Sequence, residues 1–464
     1  MDTLDFRTDD PRLRRLNEKP IHPGGEYVLY WMQAFRRAAD NAALAYAIEQ
    51  ANALGVPCLV YEAIRPDGPH ASDRIHRFVL EGARETAARL HARGIGYAFF
   101  LPRRPAEARG GLARLAARAC MVVSDDFPAF VVPGHNAAAA AKAPCAFIAV
   151  DDACVIPLAL LAKPEVAART IRPKVTRLLA DWLKPIADPS PRREPPARFD
   201  WSFDPIDLRR ADLVALVASC AIDHGVPAVD ETRGGSAAAE ERLHAFVRRP
   251  LRTYDVDRND PSREGTSGLS PYLHFGMISP RAVALEARAA SADPGVEAFV
   301  EQLLVRRALS FNFVRSRADY AEWAALPGWA RATLEGHAND ERYAELTVSE
   351  LEEARSPDAL WNAAMRELRA RGTIQSYARM LWGKLPLLWM RRPQDAHAAM
   401  VHLNDKWALD GRDPNGYANV SWCFGLHDRP WPERRVFGQV RTMTSASAQK
   451  KLDFGDYILR WSAG

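Results

Sequence analysis

The sequence predicts an N-terminal α/β domain with a doubly wound parallel sheet, followed by an all-α C-terminal domain. In the first part, short apolar runs alternate with segments of helical spacing, a rhythm typical of βαβ units. The apolar runs are EYVLYWM, PCLVYEA, IGYAFFL, ACMVVSDD and AFIAVDD. Beyond about residue 205, segments such as SPDALWNAAMRELRARG and QSYARMLWGKLPLLWM keep helical spacing with little β-like alternation.

A proline-rich stretch sets the expected boundary between the domains. IADPSPRREPPARFDW is rich in proline and charge, which favours an extended connector over a core element. We therefore expect an α/β domain over 20–184, a connector over 185–205 and a helical domain over 206–464. In the first domain, AALAYAIEQANALG ends at a glycine that can cap a helix, and the alanine-rich patch at 137–142 is interpreted as helix.

Composition bounds the class of protein. With 464 residues, 48% of them hydrophobic, the chain is long enough for two globular cores. A formal charge of +4, from 62 basic and 58 acidic residues, is too mild to indicate a nucleic-acid partner by itself. The cysteines form no C-x-x-C pair, so neither a zinc site nor a disulfide framework is predicted. The N-terminus lacks a signal pattern and the longest apolar run, near VIPLALLA, is too short to span a bilayer, so we expect a soluble, cytoplasmic protein.

The first candidate site is a Ser/Thr/Gly cluster at 265–270, ahead of a predicted helix. Its hydroxyls and flexible glycines offer donors to an anionic ligand such as a diphosphate. The same composition is typical of an ordinary loop with a helix N-cap, so the residues alone leave both interpretations open. Neither a G-x-G-x-x-G nor a P-loop pattern follows the first predicted strand, so the usual nucleotide fingerprints do not identify a ligand.

The second candidate site is a group of tryptophans, Trp361, Trp382 and Trp389. Trp382 and Trp389 are seven residues apart, close to two helical turns, so their indoles share one face of a helix unless Pro386 kinks it. The spacing suits electron hopping. It is also the spacing of ordinary core packing.

Two polar stretches follow. Residues 402–417 combine acids, amides and glycines with aromatic residues, which predicts a hydrogen-bonded polar loop. Lys406 and Arg412 interrupt the oxygen ligands that a calcium loop would need. Further on, a basic segment interleaved with Trp431 and Phe437 suits a phosphate backbone and unstacked bases, although a solvated basic face has the same composition. Its charged residues are Arg429, Arg434, Arg435, Arg441, Lys450 and Lys451, with Glu433 as the acid.

Together these stretches resemble the photolyase/cryptochrome family. The resemblance is carried by YxxxRxxP at 254–261 and GTSxLSPYLHFGxIS at 265–279. A narrower resemblance to class II cyclobutane pyrimidine dimer photolyases is carried by LNDKxxLDGRDPNGY at 403–417, Trp422 and HDRPWPERRVFGQVR at 427–441. It implies light-driven repair of pyrimidine dimers in DNA, the activity of a deoxyribodipyrimidine photo-lyase. A cryptochrome-like blue-light sensor and a non-catalytic flavin-dependent DNA-binding module are the alternatives.

The resemblance implies FAD held non-covalently in the helical domain. Arg379 and Asp410 are expected to pair beside the isoalloxazine ring, with Asn404 facing its N5. The residues implied at the cofactor are Tyr254, Thr266, Ser267, Gly268, Leu269, Ser270, Arg379, Asn404, Asp410 and Asn415. In the N-terminal domain the family often carries a light-harvesting pigment, a deazaflavin or a reduced folate, and nothing in the residues chooses between them.

The resemblance also implies the chemistry. One electron passes from photoexcited, reduced FAD to a dimer flipped out of duplex DNA, and returns after the cyclobutane bonds split. Glu301 is expected to hydrogen-bond the dimer and Trp422 to pack against it. Many relatives outside class II carry a tryptophan within a turn after this glutamate, whereas this chain has Val305 in that region, which leaves one wall of the lesion pocket unassigned. The residues implied at the DNA backbone are Arg258, Arg429 and Arg441.

Further expectations concern the lesion, the tryptophans and the oligomeric state. No histidine lies near Tyr377 and Arg379, where (6-4) photolyases place one, so the cyclobutane dimer is the expected lesion. The tryptophans match an electron-transfer chain with Trp389 nearest the flavin, Trp361 next and Trp382 at the surface. We expect the protein to act as a monomer.

Overall fold

The computed structural model describes residues 4, 9–108, 110–196 and 198–462. The chain divides into two compact units. The first comprises Met1–Ala162, Thr176–Leu243 and Leu269–Glu286, and the second comprises Lys163–Val175, His244–Gly268 and Ala287–Gly464. The first unit therefore extends past the expected connector, as far as residue 243, and takes in a further segment at 269–286.

A six-stranded sheet forms the centre of the first unit. The strand order is β1-β6-β5-β2-β3-β4, and all neighbours are parallel except β1, which runs antiparallel to β6. The five predicted strands and the doubly wound α/β class are confirmed, while the charged edge strand β1 was not predicted. The strands are β1 (Leu13–Arg15), β2 (Tyr27–Met32), β3 (Cys58–Ala63), β4 (Gly96–Phe100), β5 (Ala119–Asp125) and β6 (Ala146–Val150).

The predicted all-α class of the C-terminal domain is confirmed, because the described residues of the second unit form helices and turns. Along the chain, the helices of both units are α1 (Ala42–Leu54), α2 (Asp73–Ala92), α3 (Gly111–Arg118), α4 (Val132–Lys142), α5 (Ala168–Trp182), α6 (Leu213–Ala218), α7 (Ser236–Arg248), α8 (Tyr254–Asp257), α9 (Ser270–His274) and α10 (Pro280–Ala290). They continue with α11 (Pro294–Val300), α12 (Arg307–Arg315), α13 (Gly328–Gly336), α14 (Val348–Glu352), α15 (Ala359–Arg371), α16 (Ser376–Lys384), α17 (Pro393–Trp407), α18 (Pro414–Cys423), α19 (Ser445–Gln449) and α20 (Gly455–Arg460).

Two irregular turns matter for the site. A π-helical turn, Glu301–Arg306, connects α11 to α12, and a 3₁₀ turn, Leu385–Leu388, follows α16. Further 3₁₀ turns lie at Pro105–Glu107, Leu158–Leu161, Pro250–Thr253 and Trp323–Ala325.

Sequence patterns explain the central elements. Strand β5 is buried at every position, as expected for a parallel strand covered on both faces. Asn41 caps the start of α1, because its side chain accepts a hydrogen bond from the Leu44 N–H. Gly55, with φ of 70°, caps its end. The alanine-rich patch lies in α4, as predicted.

The proline-rich segment is more than a connector. Its aromatic side chains pack against the first unit's core, with ring centroids 5.3 Å apart for Phe199 and Tyr27 and 5.6 Å apart for Phe203 and Tyr61. Aromatic pairs at these distances add stability beyond the area that they bury. The composition of the segment concealed this role because proline and charge dominate it.

All six cysteines lie in the described part of the chain, and each of them is buried. In the same residues, no helix has the length and apolar character needed to cross a membrane.

We expect Gly25→Ala to destabilise the first unit, because a Cβ at this position would lie 2.6 Å from the carbonyl carbon of Ala119 in β5. Overpacking of this kind costs about 1–3 kcal/mol. Gly134→Ala is the matched control, since nothing lies within 4 Å of a Cβ placed there. Alanine should raise the stability of α4 by up to about 1 kcal/mol. Urea unfolding followed by circular dichroism measures both changes, and an unaltered Gly25→Ala midpoint would contradict the close approach.

Candidate active site

A polar cluster of three side chains lies at the centre of the second unit. Arg379, on α16, donates two hydrogen bonds of 2.9 Å to the two carboxylate oxygens of Asp410, which follows α17. The same guanidinium donates to the Oδ1 of Asn404, on α17, at 2.6 Å. The motif residues expected to meet are therefore together, and a bidentate pair fixes their orientation.

The loop after α17 is built to present Asp410. Arg412 has φ of 61° and donates through its guanidinium to the backbone carbonyls of Asp405, Ala408 and Leu409. Its own N–H donates to the Asp405 carboxylate at 2.7 Å. Gly411 is required because a Cβ there would lie 2.5 Å from the carbonyl oxygen of Asn404. Arg412, which interrupts a calcium-loop pattern in the sequence, thus serves as the internal support of the loop.

The electrostatics of the cluster keep Arg379 charged. Burial lowers the pKa of Arg379, but the charge and hydrogen bonds of Asp410 outweigh it and raise the pKa above its usual value. Because the Oδ1 of Asn404 accepts from Arg379, its Nδ2 is the end left to serve another acceptor. Its contact with an Asp405 oxygen is long, at 3.5 Å. The cluster therefore offers an oriented amide donor beside a fixed ion pair.

Asn415 is hydrogen-bonded within the protein, at the start of α18. Its Nδ2 and its backbone N–H both donate to Asp413 Oδ1, at 2.8 Å each, and Asp413 caps α18. Its implied contact with the cofactor remains a prediction.

The three tryptophans are in contact through Trp361. Its ring is stacked with that of Trp382 at 6.5 Å and 11°, and meets that of Trp389 edge-on at 5.6 Å. The Nε1 of Trp361 donates to the Trp382 carbonyl at 2.8 Å. The expectation that Trp382 lies at the surface was wrong, because it is 1% exposed. The exception foreseen for Pro386 applies: α16 ends before this proline, so Trp382 and Trp389 do not share one helix.

The Ser/Thr/Gly loop is shaped by two glycines. A Cβ at Gly265 would lie 2.6 Å from the carbonyl carbon of Asp257, and Gly268 has φ of 61°. Leu269 is fully buried and Ser270 is exposed at the start of α9, in the first unit. Leu269 stands at the N-cap position of α9 without a side-chain capping hydrogen bond, so the N-cap part of the ordinary interpretation does not hold, while the loop part does. Thr266 and Ser267 are half-buried in the second unit.

Tyr254 is a member of an aromatic cluster. Its ring meets Phe246 at 5.7 Å and Phe299 at 5.4 Å, and the guanidinium of Arg258 lies 5.6 Å from its centroid. Burial raises the pKa of Tyr254, so its hydroxyl stays protonated. The backbone carbonyl of Arg258 accepts a hydrogen bond of 2.8 Å from the Gln375 side chain. Gln375 in turn caps α16, the helix of Arg379.

Glu301 is engaged in an ion-pair cluster that the sequence did not reveal. Arg172 donates to both of its carboxylate oxygens, at 2.7 and 3.1 Å, and Arg306 Nε lies 3.5 Å from one of them. The Arg306 guanidinium also lies over the ring of Trp422, 5.2 Å from the centroid. The two residues expected at the lesion, Glu301 and Trp422, are thus linked through Arg306.

The basic C-terminal segment is exposed at the expected positions. The guanidinium groups of Arg429 and Arg441 both lie over the ring of Trp431, at 5.3 and 4.9 Å. Phe437 is 3% exposed, so the expectation that it faces unstacked bases is wrong. Glu433, the acid of the segment, accepts a hydrogen bond from His337 at 2.9 Å. The exposed basic residues are Arg429, Arg434, Arg435, Arg441, Lys450 and Lys451.

The carboxyl edge of the sheet in the first unit is closed by its own hydrogen bonds. Asp125, at the end of β5, accepts from the N–H groups of Gln33 and Phe35 at 2.8 and 3.0 Å and from the Tyr30 hydroxyl at 2.7 Å. Gln33 in turn donates to Asn136 at 2.8 Å. This edge is the usual ligand position in open α/β sheets, but the polar groups satisfy one another. A light-harvesting pigment in this domain therefore stays a prediction.

Comparison with known proteins identifies the fold and the family. A family model described as DNA photolyase matches residues 28–194. A deoxyribodipyrimidine photo-lyase from Methanothermobacter thermautotrophicus is 36% identical over 97% of this chain and 97% of its own length. Another, from Oryza sativa subsp. japonica, is 37% identical over 94% of this chain and 88% of its own. The archaeal photolyase from Sulfolobus tokodaii, whose crystal structure holds two FAD molecules, matches with a TM-score of 0.65 at 18% identity, covering 94% of this chain and 90% of that one.

The fold is accordingly that of a photolyase, a mixed and mostly parallel six-stranded sheet followed in sequence by a largely helical region. The chain belongs to the photolyase family, and its homologues over nearly the full length are deoxyribodipyrimidine photo-lyases. The family recognised from the motifs is confirmed.

We expect Tyr417→Phe to destabilise the second unit, because its hydroxyl donates to the buried Asp405 carboxylate at 2.9 Å. Removing a donor from a buried acceptor costs about 1–3 kcal/mol. Tyr343→Phe is the control, since Tyr343 is 85% exposed. Denaturant unfolding of both variants provides the measurement. Equal stability of the two would show that Asp405 does not depend on Tyr417.

Proposed function

We propose that the protein binds FAD in its second unit and uses light to repair cyclobutane pyrimidine dimers in duplex DNA. The observation that carries the proposal is the cluster in which Arg379 donates hydrogen bonds to both Asp410 and Asn404. Arg379 lies on the same helix, α16, as Trp382. This cluster joins an oriented charge pair and amide to a chain of oxidisable indoles.

The residues of the cluster fit a flavin ring. Asn404 Nδ2 is an oriented donor, and a Cβ at Gly416 would lie 2.9 Å from it, so the residue opposite must be glycine. An amide donor suits a ring nitrogen, and the neighbouring Arg379–Asp410 pair suits the polar edge of the same ring. When bound, the reduced flavin supplies a light-driven electron to the dimer. Thr266, Ser267 and Gly268 are proposed to hold its phosphates.

The second unit also carries groups suited to a flipped dimer. Glu301 and Trp422 are joined by Arg306, so a carboxylate and an indole are available in one place. Arg429 and Arg441 are exposed beside Trp431, where they can neutralise phosphates of a kinked backbone. Taking the dimer out of the helix costs a few kcal/mol, less where pairing is already weakened.

The tryptophans are proposed to deliver the electron that reduces the flavin, in the order Trp382, Trp361, Trp389 outward. Trp382 lies one helical turn from Arg379 on α16, so it faces the same side as the cluster. Trp361 contacts both other rings. Arg391, two residues after Trp389, is exposed. This order reverses the one expected from the sequence.

The cofactor and the activity are tested together. The wild type should purify with about one FAD per chain. Asp410→Asn should lower the flavin content, because it removes the charge that orients Arg379. Asp319→Asn is the matched control, since Asp319 receives a similar bidentate pair from Arg317, at 2.9 and 2.8 Å, elsewhere in the unit. Folded wild-type protein that neither contains nor takes up FAD would remove the proposed cofactor.

Chemically reduced wild type under blue light should convert thymine dimers in a duplex oligonucleotide back to thymines. Binding to this DNA should weaken as the salt concentration rises. Glu301→Gln should lower the repair yield without lowering the FAD content, which absorbance after denaturation reports. If flavin-loaded, reduced and illuminated wild type leaves the dimers intact, a blue-light sensor replaces repair as the function.

Photoreduction tests the electron path. Trp361→Phe should slow flavin photoreduction severalfold with an external donor present, because phenylalanine keeps the apolar bulk but removes the indole that contacts both neighbours. Trp323→Phe is the control, since its described ring contacts are with His397 and Phe424. Absorbance at the oxidised flavin band follows the rate. Wild-type photoreduction in Trp361→Phe would mean that the three tryptophans serve packing alone.

A further inference from the structure

The lesion pocket required by the proposed function has an unfilled wall in this chain. Val305 occupies the region where many relatives outside class II have a tryptophan, and it is only 6% exposed. Its side chain is therefore committed to the interior of the second unit. A neighbouring residue must supply the missing planar surface.

The π-helical turn Glu301–Arg306 brings Arg306 into that position. In a π turn, residues five apart come to the same side, which places Arg306 above Glu301. The Nε of Arg306 lies 3.5 Å from Glu301 Oε1, and its guanidinium lies 5.2 Å from the ring centroid of Trp422. The Arg306 side chain is 34% exposed.

Positive charge predominates around Arg306. Burial lowers the pKa of Arg306, and the nearby guanidinium groups of Arg172 and Arg258 lower it further, while Glu301 opposes them. Arg172 already takes both carboxylate oxygens of Glu301. Within the described ranges, the buried Nε atom of Arg306 has no hydrogen-bond partner.

We propose that Arg306 forms a planar wall of the lesion pocket by covering the face of Trp422 and facing the pyrimidine dimer. This inference rests on the proposed function. A guanidinium is planar and stacks on aromatic faces, and its N–H groups donate to carbonyl oxygens such as those of a pyrimidine. Trp422 then contacts the lesion through Arg306, in a layered order of indole, guanidinium and pyrimidine. The fixed positive charge also favours a dimer that has accepted an electron.

Discrimination between damaged and undamaged DNA tests the assignment. Arg306→Lys keeps the charge and loses the planar surface, while Arg306→Gln keeps a planar end and loses the charge. The matched control is Arg369→Lys, since Arg369 makes a similar stack, 5.0 Å from the ring centroid of Trp407. For each flavin-loaded protein, the dissociation constants for a dimer-containing duplex and its undamaged counterpart are measured in the dark.

Arg306→Lys should lower the preference for damaged DNA about tenfold, because a desolvated cation–π stack and its hydrogen bonds are lost. Its affinity for undamaged DNA should stay within about twofold, since the phosphate charge balance is unchanged. Arg306→Gln should lose the same preference, and Arg369→Lys should retain it. A wild-type preference in Arg306→Lys, or loss of flavin from both Arg306 variants, would overturn the assignment. A wild type that itself shows no preference would refute the proposed function instead.

Discussion

The bidentate pair of Arg379 with Asp410 is the interaction on which the polar site of the second unit depends. A partly buried guanidinium and carboxylate recover the cost of leaving water only when their geometry is good and their remaining atoms are hydrogen-bonded. The loop after α17 supplies that geometry through Arg412, whose guanidinium satisfies three carbonyls of the chain around it. Asn404 is then oriented because its oxygen is the remaining acceptor for Arg379.

Charge is distributed differently at the second cluster. Arg379 is paired with the single carboxylate of Asp410, whereas Glu301 faces the guanidinium groups of both Arg172 and Arg306. Two guanidinium groups around one carboxylate leave an excess of positive charge, which suits a ligand that is anionic or becomes so.

Much of this arrangement could be predicted from the sequence, and the exceptions have physical causes. The parallel strands were evident because strands buried on both faces read as continuous apolar runs, as in β5. Strand β1 reads LRR and has no such pattern. The meeting of Arg379 with Asp410 and Asn404, 31 and 25 residues apart in sequence, was implied by the family resemblance. The pairing of Arg172 with Glu301 joins residues 129 apart in sequence, and no local spacing encodes it.

The tryptophan chain illustrates how a single backbone feature changes an interpretation. On a continuous helix, seven residues separate two indoles by about 10 Å along the axis. Pro386 cannot donate to a preceding carbonyl, so α16 gives way to a 3₁₀ turn and Trp389 leaves the helical face of Trp382. Trp361 can therefore meet one indole by stacking and the other edge-on, at 6.5 and 5.6 Å. Arg379 and Trp382 stay on the regular part of α16, one helical turn apart, whereas Trp389 lies beyond the proline and is 2% exposed.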